Sequence, residues 1–355
     1  MTLFQKMAED CTKEIFVLSC EENDYHFQSL NAFTKFDNEL LSRWDHAMLL
    51  GCFKYNLESV ERRIISGKYN FVAQFNKKRF TQRRPPQNIS SLNQPYNADQ
   101  FNFTKIPEKE ILFTLSSNKN EDSRERNIVV INISPLEYGN VLLVPNVDGQ
   151  LPQKVLTEKA IHLAMETVFL SGKRDFRLGF NSLCGFASVN HQHFHGFYTH
   201  HTLPVETVSV SSLCDGVYET VDFPITTFAF EVYDHQSMTA AASRINKVTS
   251  YLYENEIAHN VFLTRGLPLS LKKMDGNKKE VLRIFVWARK NSTGIKNENM
   301  FNMAVCELAG FLPIKERSWY DNMTEEDVCE KFKTAALESR HYDQIRKDII
   351  LLLQP

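Results

Sequence analysis

Residues 190–196 read Asn-His-Gln-His-Phe-His-Gly and place three of the chain's eleven histidines at spacings of two. If this segment is a β-strand, the alternation of side chains puts His191, His193 and His195 on one face. A row of imidazoles is poor core material, because each buried ring needs a hydrogen-bond partner. The spacing therefore favours a chemical site over an ordinary core strand.

Histidine can serve as a metal ligand, a general acid or base, or a nucleophile. One strand bearing two such ligands falls short of the three or four that zinc requires, so no metal or other cofactor is predicted, although a metal-dependent enzyme remains an alternative. A neutral imidazole also attacks phosphorus and forms a phosphoramidate that a second acceptor opens. That chemistry suits nucleotidyl transfer in two displacements, with the middle ring attacking and its neighbours holding its tautomer and the phosphate oxygens.

The segment just before the histidines offers groups that bind phosphate. Residues 182–188 form a loop of mostly small residues after a predicted strand. The backbone N–H of Gly185 and the hydroxyl of Ser188 are donors of the kind that stabilises charge on a transferring phosphoryl group.

A second candidate for binding phosphate is a basic stretch at residues 76–87. Five positive charges fall within residues 77–84, immediately before two prolines. Arg83 and Arg84 could clamp a polyanionic ligand such as a diphosphate. A solvated basic loop is the alternative interpretation of the same composition.

Composition excludes several classes of protein. The 355 residues are 43% hydrophobic and 24% charged, which is typical of a globular chain. A net charge of −2, from 41 basic and 43 acidic residues, argues against a general nucleic-acid binder. The seven scattered cysteines include no C-x-x-C pair and predict reduced thiols. With no signal-peptide core and no apolar run of about eighteen residues, we expect no membrane contact and a cytoplasmic location.

Periodicity predicts an α+β fold with a mainly antiparallel sheet. The predicted helices cover residues 40–49, 57–65, 157–170, 238–256, 302–309 and 324–354, and the predicted strands cover residues 71–75, 127–134, 141–145, 176–181, 205–210, 226–232, 261–263 and 281–288. The later order loosely echoes the earlier one, without a sequence repeat or a second histidine cluster. We therefore expect an N-terminal segment (1–35), a catalytic half (36–205) and a second, catalytically silent half (206–355).

Beyond the histidines, four blocks of sequence carry a resemblance to a known family. They are Arg-Phe-Thr-Gln-Arg-Arg-Pro-Pro at 79–86, Phe-Asn-Phe-Thr-Lys-Ile at 101–106, Asn-Ile-Ser-Pro-Leu-Glu-Tyr-Gly-Asn-Val-Leu-Leu-Val-Pro at 132–145, and Phe-Asn-Ser-Leu-Cys-Gly-Phe-Ala-Ser-Val-Asn-His at 180–191. Taken in order, the blocks resemble the GDP-D-glucose phosphorylases of animals. That family is related to plant GDP-L-galactose phosphorylases and to galactose-1-phosphate uridylyltransferases, within the histidine-triad superfamily.

The resemblance implies a histidine-triad-like antiparallel sheet with packed helices. It also implies that His193 attacks GDP-glucose, releases glucose 1-phosphate and carries a guanylyl group, which inorganic phosphate then removes as GDP. His191 and His195 match the flanking positions that orient the nucleophile and contact phosphate oxygens. Ser188 and Asn181 match residues that bind phosphate. In the plant and uridylyltransferase branches glutamine replaces His195.

Two other functions use the same residues and stay open at the level of sequence. A nucleotide-sugar hydrolase would open the histidine intermediate with water and release GMP. A guanine-nucleotide-binding module would keep the fold without turnover. The sequence implies no particular oligomeric state.

Overall fold

The computed structural model describes residues 15–18, 32–117, 125–269, 280–294 and 300–354. Most of the predicted N-terminal segment therefore lies outside the described residues. In the described part a large sheet forms the central layer, with helices on one face and a small sheet and further helices on the other.

The strands, in chain order, are β1 (Ile15–Leu18), β2 (Glu61–Ile65), β3 (Phe71–Phe75), β4 (Ile111–Ser117), β5 (Asn127–Ile131), β6 (Val141–Val144), β7 (Phe176–Asn181), β8 (Phe194–Tyr198), β9 (Val210–Cys214), β10 (Val217–Thr220), β11 (Phe228–Val232), β12 (Ala258–Gly266), β13 (Val281–Arg289) and β14 (Phe311–Ile314). The helices are α1 (Lys35–Leu49), α2 (Lys77–Gln82), α3 (Glu158–Leu170), α4 (Pro204–Thr207), α5 (His235–Glu254), α6 (Val305–Leu308), α7 (Arg317–Asn322), α8 (Glu325–Ala335) and α9 (Ser339–Leu353). Short 3₁₀ turns lie at Phe103–Lys105, Glu108–Glu110 and Val147–Gly149.

One large sheet contains two halves in mirrored order. Its strands run β1-β4-β5-β6-β8-β7-β12-β13-β11-β10-β9, antiparallel throughout except for the β1–β4 pair. The sequence strand, strand, helix, strand, strand occurs once as β5-β6-α3-β7-β8 and again as β10-β11-α5-β12-β13. The halves meet where β7 pairs with β12, with Asn181 opposite Asn260. The predicted α+β fold with two related halves is confirmed.

Two hydrophobic cores lie on opposite faces of this sheet. Helices α1, α3, α5 and α9 cover one face. The small sheet β14-β3-β2, together with α6 and α8, covers the other. Along β8 the alternation of side chains sends Phe194 and Tyr198 into the first core and Phe197 into the second. His195 shares the parity of Phe197, so β8 directs it towards the small sheet.

The local patterns predicted α3 and its start correctly. Thr157 is the N-cap and accepts a hydrogen bond from the backbone N–H of Ala160 at 3.2 Å. The residues on the predicted stripe, among them Ile161, Ala164 and Val168, are buried. Capping and a 3.6-residue period both depend on residues close together in the chain, so both can be recognised in the sequence.

Four predicted elements are wrong or incomplete. Residues 57–65 were expected to be helical, but Glu61–Ile65 is β2, since antiparallel pairing with β3 outweighs the local pattern. The expected strand at 205–210 begins as α4, because Pro204 occupies the first helical turn. The expected helix at 302–309 is shorter, since only α6 (Val305–Leu308) is helical. The expected helix at 324–354 breaks into α8 and α9, because α8 packs in one core and α9 in the other.

Within the residues that the structure describes, no helix has the length and apolarity needed to cross a bilayer.

Candidate functional site

The histidine segment is only partly a strand. Strand β8 begins at Phe194, and residues 190–193 form an irregular stretch in front of it. The predicted row of three rings on one strand face is therefore wrong. Backbone hydrogen bonds to a neighbouring segment hold this stretch instead, for example from Gln192 N to Leu151 O at 2.7 Å. The Gln192 side chain turns away and donates to Val155 O at 2.9 Å.

The ring of His193 is fixed in one tautomer. Its Nδ1 lies 2.7 Å from the carbonyl oxygen of His191. A carbonyl can only accept, so Nδ1 must donate, and the neutral ring carries its free lone pair on Nε2. Burial lowers the pKa of His193 to about 4, which keeps the ring neutral near pH 7. The side chain is almost fully buried yet lines the cleft described below.

His191 contributes its backbone carbonyl to this arrangement, while its ring is fully buried. Nδ1 of His191 accepts a hydrogen bond from the backbone N–H of Phe103 at 3.1 Å. The ring packs against Tyr96 and Phe103, with centroids 5.7 and 5.4 Å away. Burial, and secondarily His193, lowers the pKa of His191 to about 4. The predicted orienting role thus fits its carbonyl, and its ring packs beneath Phe103 and not against the cleft.

His195 lies on β8 with its ring centroid 5.0 Å from that of His193. It lines both parts of the cleft. Burial, then the neighbouring His193 and Arg79, hold the pKa of His195 well below 6.5. The ring is therefore a neutral group that can donate a hydrogen bond towards a bound phosphate.

A buried glutamine that the sequence did not single out clamps the backbone of His193. Gln153 Oε1 accepts from His193 N at 2.8 Å, and its Nε2 donates to the carbonyl oxygens of His193 at 3.0 Å and Asn181 at 2.9 Å. Gln153 is wholly inaccessible to solvent. The glutamine thus joins the end of β7 to His193. No local sequence pattern marks Gln153, because its partners lie 28 and 40 residues further along the chain.

The other side of the histidine segment is tied to residues 87–101. Gln87 accepts from Asn190 N at 2.8 Å and donates to Phe101 O at 2.7 Å. The backbone N–H of Gln87 donates to Ser188 O at 3.0 Å. The segment is held from two directions, so the position of His193 is determined by residues far away in the chain.

Asn181 has its amide oriented by its neighbours. The Oδ1 atom accepts from Asn260 Nδ2 at 2.7 Å and from Val305 N at 2.8 Å. With Oδ1 occupied by two donors, the Nδ2 amino group is the part of Asn181 available to the cleft, which this residue lines. A donor is what a phosphate oxygen requires.

Of the two predicted loop donors, the structure places one at the cleft. Ser188 lines it on both sides. The N–H of Gly185 instead donates to Ser182 O at 2.9 Å within the loop's own turn. A Cβ at Gly185 would come within 2.7 Å of His259 O and 2.8 Å of Ser182 Oγ. Gly185 is therefore a packing residue, and its predicted contact with phosphate is not supported by this geometry.

A cleft with two lobes runs past Ser188 and His195. The first lobe has an apolar end and also contains His193. The second has a polar end. The side chains at the apolar end are Phe101, Phe103, Ile106, Val130 and Leu142, and those at the polar end are Asn140, Asn181, Asn302, Cys306 and Glu307.

Arginines occupy the middle of this cleft. Arg79 and Arg83 line both lobes, and Arg84 lines the first. Arg79 belongs to α2 and donates to Ser134 O at 2.6 Å, whereas the guanidinium of Arg84 lies 3.6 Å from the ring centre of Phe101. Burial lowers the pKa values of Arg83 and Arg84 from 12.5. The basic stretch thus forms a short helix and the turn after it, and it brings three cations to the histidines.

Among the described residues, no three His, Cys, Asp or Glu side chains are grouped so that they could hold a metal ion. The groups that converge on the cleft are arginines, neutral imidazoles and amides. Such groups bind and polarise phosphate oxygens directly.

Comparison with solved structures shows a shared fold. A crystal structure of yeast Ap4A phosphorylase Apa2 in complex with Ap4A superposes with a TM-score of 0.59 at 14% identity, over 90% of this chain and 99% of that one. The same yeast enzyme in complex with AMP gives a TM-score of 0.56 over 85% of this chain and 96% of that one, at 14% identity.

Sequence comparison identifies the family. The model for the N-terminal domain of GDPGP1-like proteins matches residues 35–197, and that for the C-terminal domain matches residues 200–354. GDP-D-glucose phosphorylase 1 is 41% identical in Danio rerio (90% of this chain, 92% of that protein) and 40% identical in Homo sapiens (90% and 84%). GDP-L-galactose phosphorylase 2 of Arabidopsis thaliana is 27% identical (88% and 75%). The chain that carries these histidine, arginine and asparagine side chains therefore belongs to the GDP-D-glucose phosphorylase (GDPGP1-like) family.

Proposed function

We propose that the protein phosphorolyses GDP-D-glucose, converting GDP-glucose and inorganic phosphate into GDP and glucose 1-phosphate. One observation carries the proposal. The ring of His193 is neutral, its Nδ1–H is committed to His191 O, and its Nε2 lone pair is left for attack beside three arginines.

In the first displacement, Nε2 of His193 attacks the α-phosphorus of GDP-glucose. The bond from that phosphorus to the bridging oxygen breaks, and its electron pair leaves with glucose 1-phosphate. The carbonyl of His191 keeps its hydrogen bond to Nδ1–H while the ring becomes positively charged. This bond stabilises the imidazolium that the guanylyl-histidine contains.

The groups around the α-phosphate stabilise the charge that builds up on its oxygens. Arg79 and Arg83 contribute positive charge, and His195, Ser188 and Asn181 contribute neutral donors. Donors that are already in place need no reorganisation when the reaction occurs. Arg84, held on Phe101, lies nearer the apolar end, where we place the guanine nucleotide.

In the second displacement, an oxygen of inorganic phosphate attacks the same phosphorus. The P–N bond breaks, GDP leaves, and His193 returns to its neutral form. Two displacements at one site require the second acceptor to occupy the place that glucose 1-phosphate has left. The second lobe, with its amide and carboxyl side chains, is where we place the glucosyl phosphate.

We assign the chemistry to residues 36–205 and propose that residues 206–355 form a catalytically silent half. Strand β13, the topological counterpart of β8, reads Val-Leu-Arg-Ile-Phe-Val-Trp-Ala-Arg and contains no histidine. A cytoplasmic location is part of the proposal and is supported by the free thiols of the described cysteines.

Isolation of the covalent intermediate tests the mechanism. Protein incubated with GDP-glucose labelled in the guanine, without phosphate, should acquire acid-labile label. His193→Ala should acquire none, whereas His341→Ala, an exposed histidine on α9, should label normally. Phosphate added to the labelled protein should release GDP.

Three outcomes would contradict the proposal. Label that survives His193→Ala would refute the assigned nucleophile. Release of GMP at a rate that phosphate does not change would favour a hydrolase, and failure to release any sugar phosphate would favour a binding module.

A further inference from the structure

The apolar end of the cleft holds one unused carboxylate. Of the described residues that line the first lobe, only Glu110 is acidic. It ends the 3₁₀ turn Glu108–Glu110, just before β4, and its side chain is 13% exposed. No residue that the structure describes donates a hydrogen bond to either of its carboxylate oxygens. The nearest cation, Arg84 Nη2, is 3.9 Å from Oε2, which is too long for a hydrogen bond.

Leaving a carboxylate in this position is costly unless a ligand satisfies it. Burial raises the pKa of Glu110, while Arg84, Lys109 and Lys54 act in the opposite direction. A half-buried carboxylate without hydrogen-bond donors loses hydration, and an ion pair at 3.9 Å restores only part of that free energy. A ligand that supplied N–H groups would satisfy both oxygens.

The surrounding walls suit a planar ring. Phe101 and Phe103 lie edge to face, with centroids 5.9 Å apart. The Arg84 guanidinium covers Phe101 from one side, and Ile106, Val130 and Leu142 complete the apolar surface. A purine would stack or pack on these groups, and its hydrogen-bonding edge would still need a polar partner.

We propose that Glu110 recognises the guanine base by accepting hydrogen bonds from its N1–H and its 2-amino group. This inference rests on the proposed function, which places a guanine nucleotide in the cleft. Guanine presents two adjacent donors on this edge, which match the two oxygens of a carboxylate. Adenine presents an acceptor at N1 to the same group, so Glu110 both selects guanine and rejects adenine.

The alternative is that Glu110 only positions Arg84. The two roles differ in their dependence on the base. A contact with guanine is weaker for a nucleotide that lacks the 2-amino group, because one of its two hydrogen bonds is lost. A contact with Arg84 affects every nucleotide equally, because all of them carry the same diphosphate.

The test compares GDP with IDP, which lacks only the 2-amino group, and ADP. Equilibrium binding of each nucleotide is measured for the wild-type protein, Glu110→Gln and Glu108→Gln, and glucose 1-phosphate release is measured with the matching nucleotide-glucose compounds. Glu108 is an exposed neighbour in the same turn and serves as the control. The wild-type protein and Glu108→Gln should prefer GDP to IDP by about ten- to a hundredfold, the effect of a hydrogen bond to a charged group.

Glu110→Gln should bring the ratio of GDP to IDP affinity close to one, since a glutamine has one acceptor and faces the base with an amino group as well. An unchanged ratio would overturn the proposal. So would an equal loss for GDP, IDP and ADP, which would assign Glu110 to the positioning of Arg84. A normal base preference without release of glucose 1-phosphate would count against the proposed function and leave the role of Glu110 intact.

Discussion

Replacing Gln153 by methionine should abolish most of the activity without touching the cleft. Methionine has nearly the shape of glutamine and is accepted in cores, so the packing changes little. The three hydrogen bonds that the Gln153 side chain makes to His193 and Asn181 disappear together. Gln153 does not belong to either lobe of the cleft as the described residues define it.

The size of the effect follows from those bonds. The N–H and C=O of His193 and the C=O of Asn181 lose partners in a site that solvent does not reach. Each unsatisfied buried group costs about 1–3 kcal/mol. Because neighbouring losses are not additive, we expect the free energy of unfolding to fall by about 3–5 kcal/mol. A nucleophile displaced by roughly 1 Å costs on the order of a hundredfold in rate.

Steady-state kinetics and equilibrium binding separate these effects. At a temperature where the variant is folded, kcat should fall about a hundredfold, while the dissociation constant for GDP stays within about threefold. Gln192→Met is the matched control, because Gln192 lies beside His193 but donates its one side-chain bond to Val155 O, on the far side. It should keep kcat within about threefold.

The reasoning fails if Gln153→Met turns over normally, or if Gln192→Met is impaired as severely. It also fails if the loss in Gln153→Met lies entirely in the affinity for GDP, because that residue would then belong to the binding surface. Urea denaturation of both variants distinguishes a displaced nucleophile from an unfolded chain.

Three further predictions follow from buried groups. Asp37→Ala should lower the free energy of unfolding by about 3–5 kcal/mol in urea titrations, since the buried Asp37 accepts from Ser171, Gly172 and Tyr198. His195→Gln should keep more than a tenth of kcat, because amide and neutral imidazole both donate, whereas His195→Ala should lose about a hundredfold. His259→Phe should flatten the pH dependence of the free energy of unfolding. Burial lowers the pKa of His259 to about 4, so the contribution of the neutral ring to that free energy is complete above pH 6.5. As pH falls towards 4, up to about 3 kcal/mol of it is lost.

The sequence was informative wherever structure depends on neighbours in the chain. The cap at Thr157 and the stripe on α3 are set by residues within a few positions, and both were predicted. Strand β7 reads Phe-Arg-Leu-Gly-Phe-Asn, in which Phe176, Leu178 and Phe180 recur at every second position, and this local pattern is typical of a strand. By contrast, β2 carries three charged residues out of five, and only its pairing with β3 makes it a strand. Long-range pairing leaves no local trace.

In the candidate site, too, local features were predicted and long-range features were not. His193, His195, Ser188 and the arginines were found because their residue types are unusual in a strand, a small loop or a stretch before prolines. The geometry of the histidine segment was wrong, because hydrogen bonds from residues 151–153 and from Gln87, all distant in sequence, hold residues 190–193 out of the strand.

The half without a histidine cluster still shapes the site. Asn260 of β12 and the backbone N–H of Val305 both donate to Oδ1 of Asn181, so residues 206–355 orient the amino group that Asn181 presents to the cleft. Asn302, Cys306 and Glu307 line the second lobe. Burial raises the pKa of Glu307 to about 7, which makes it a carboxyl that can donate or accept near neutrality. In the proposed division, residues 36–205 carry the histidine that attacks phosphorus, and residues 206–355, which lack a histidine cluster, supply side chains to the second lobe. The β7–β12 pair is linked to His193 through Asn181, because the backbone carbonyls of Asn181 and His193 both accept hydrogen bonds from Gln153.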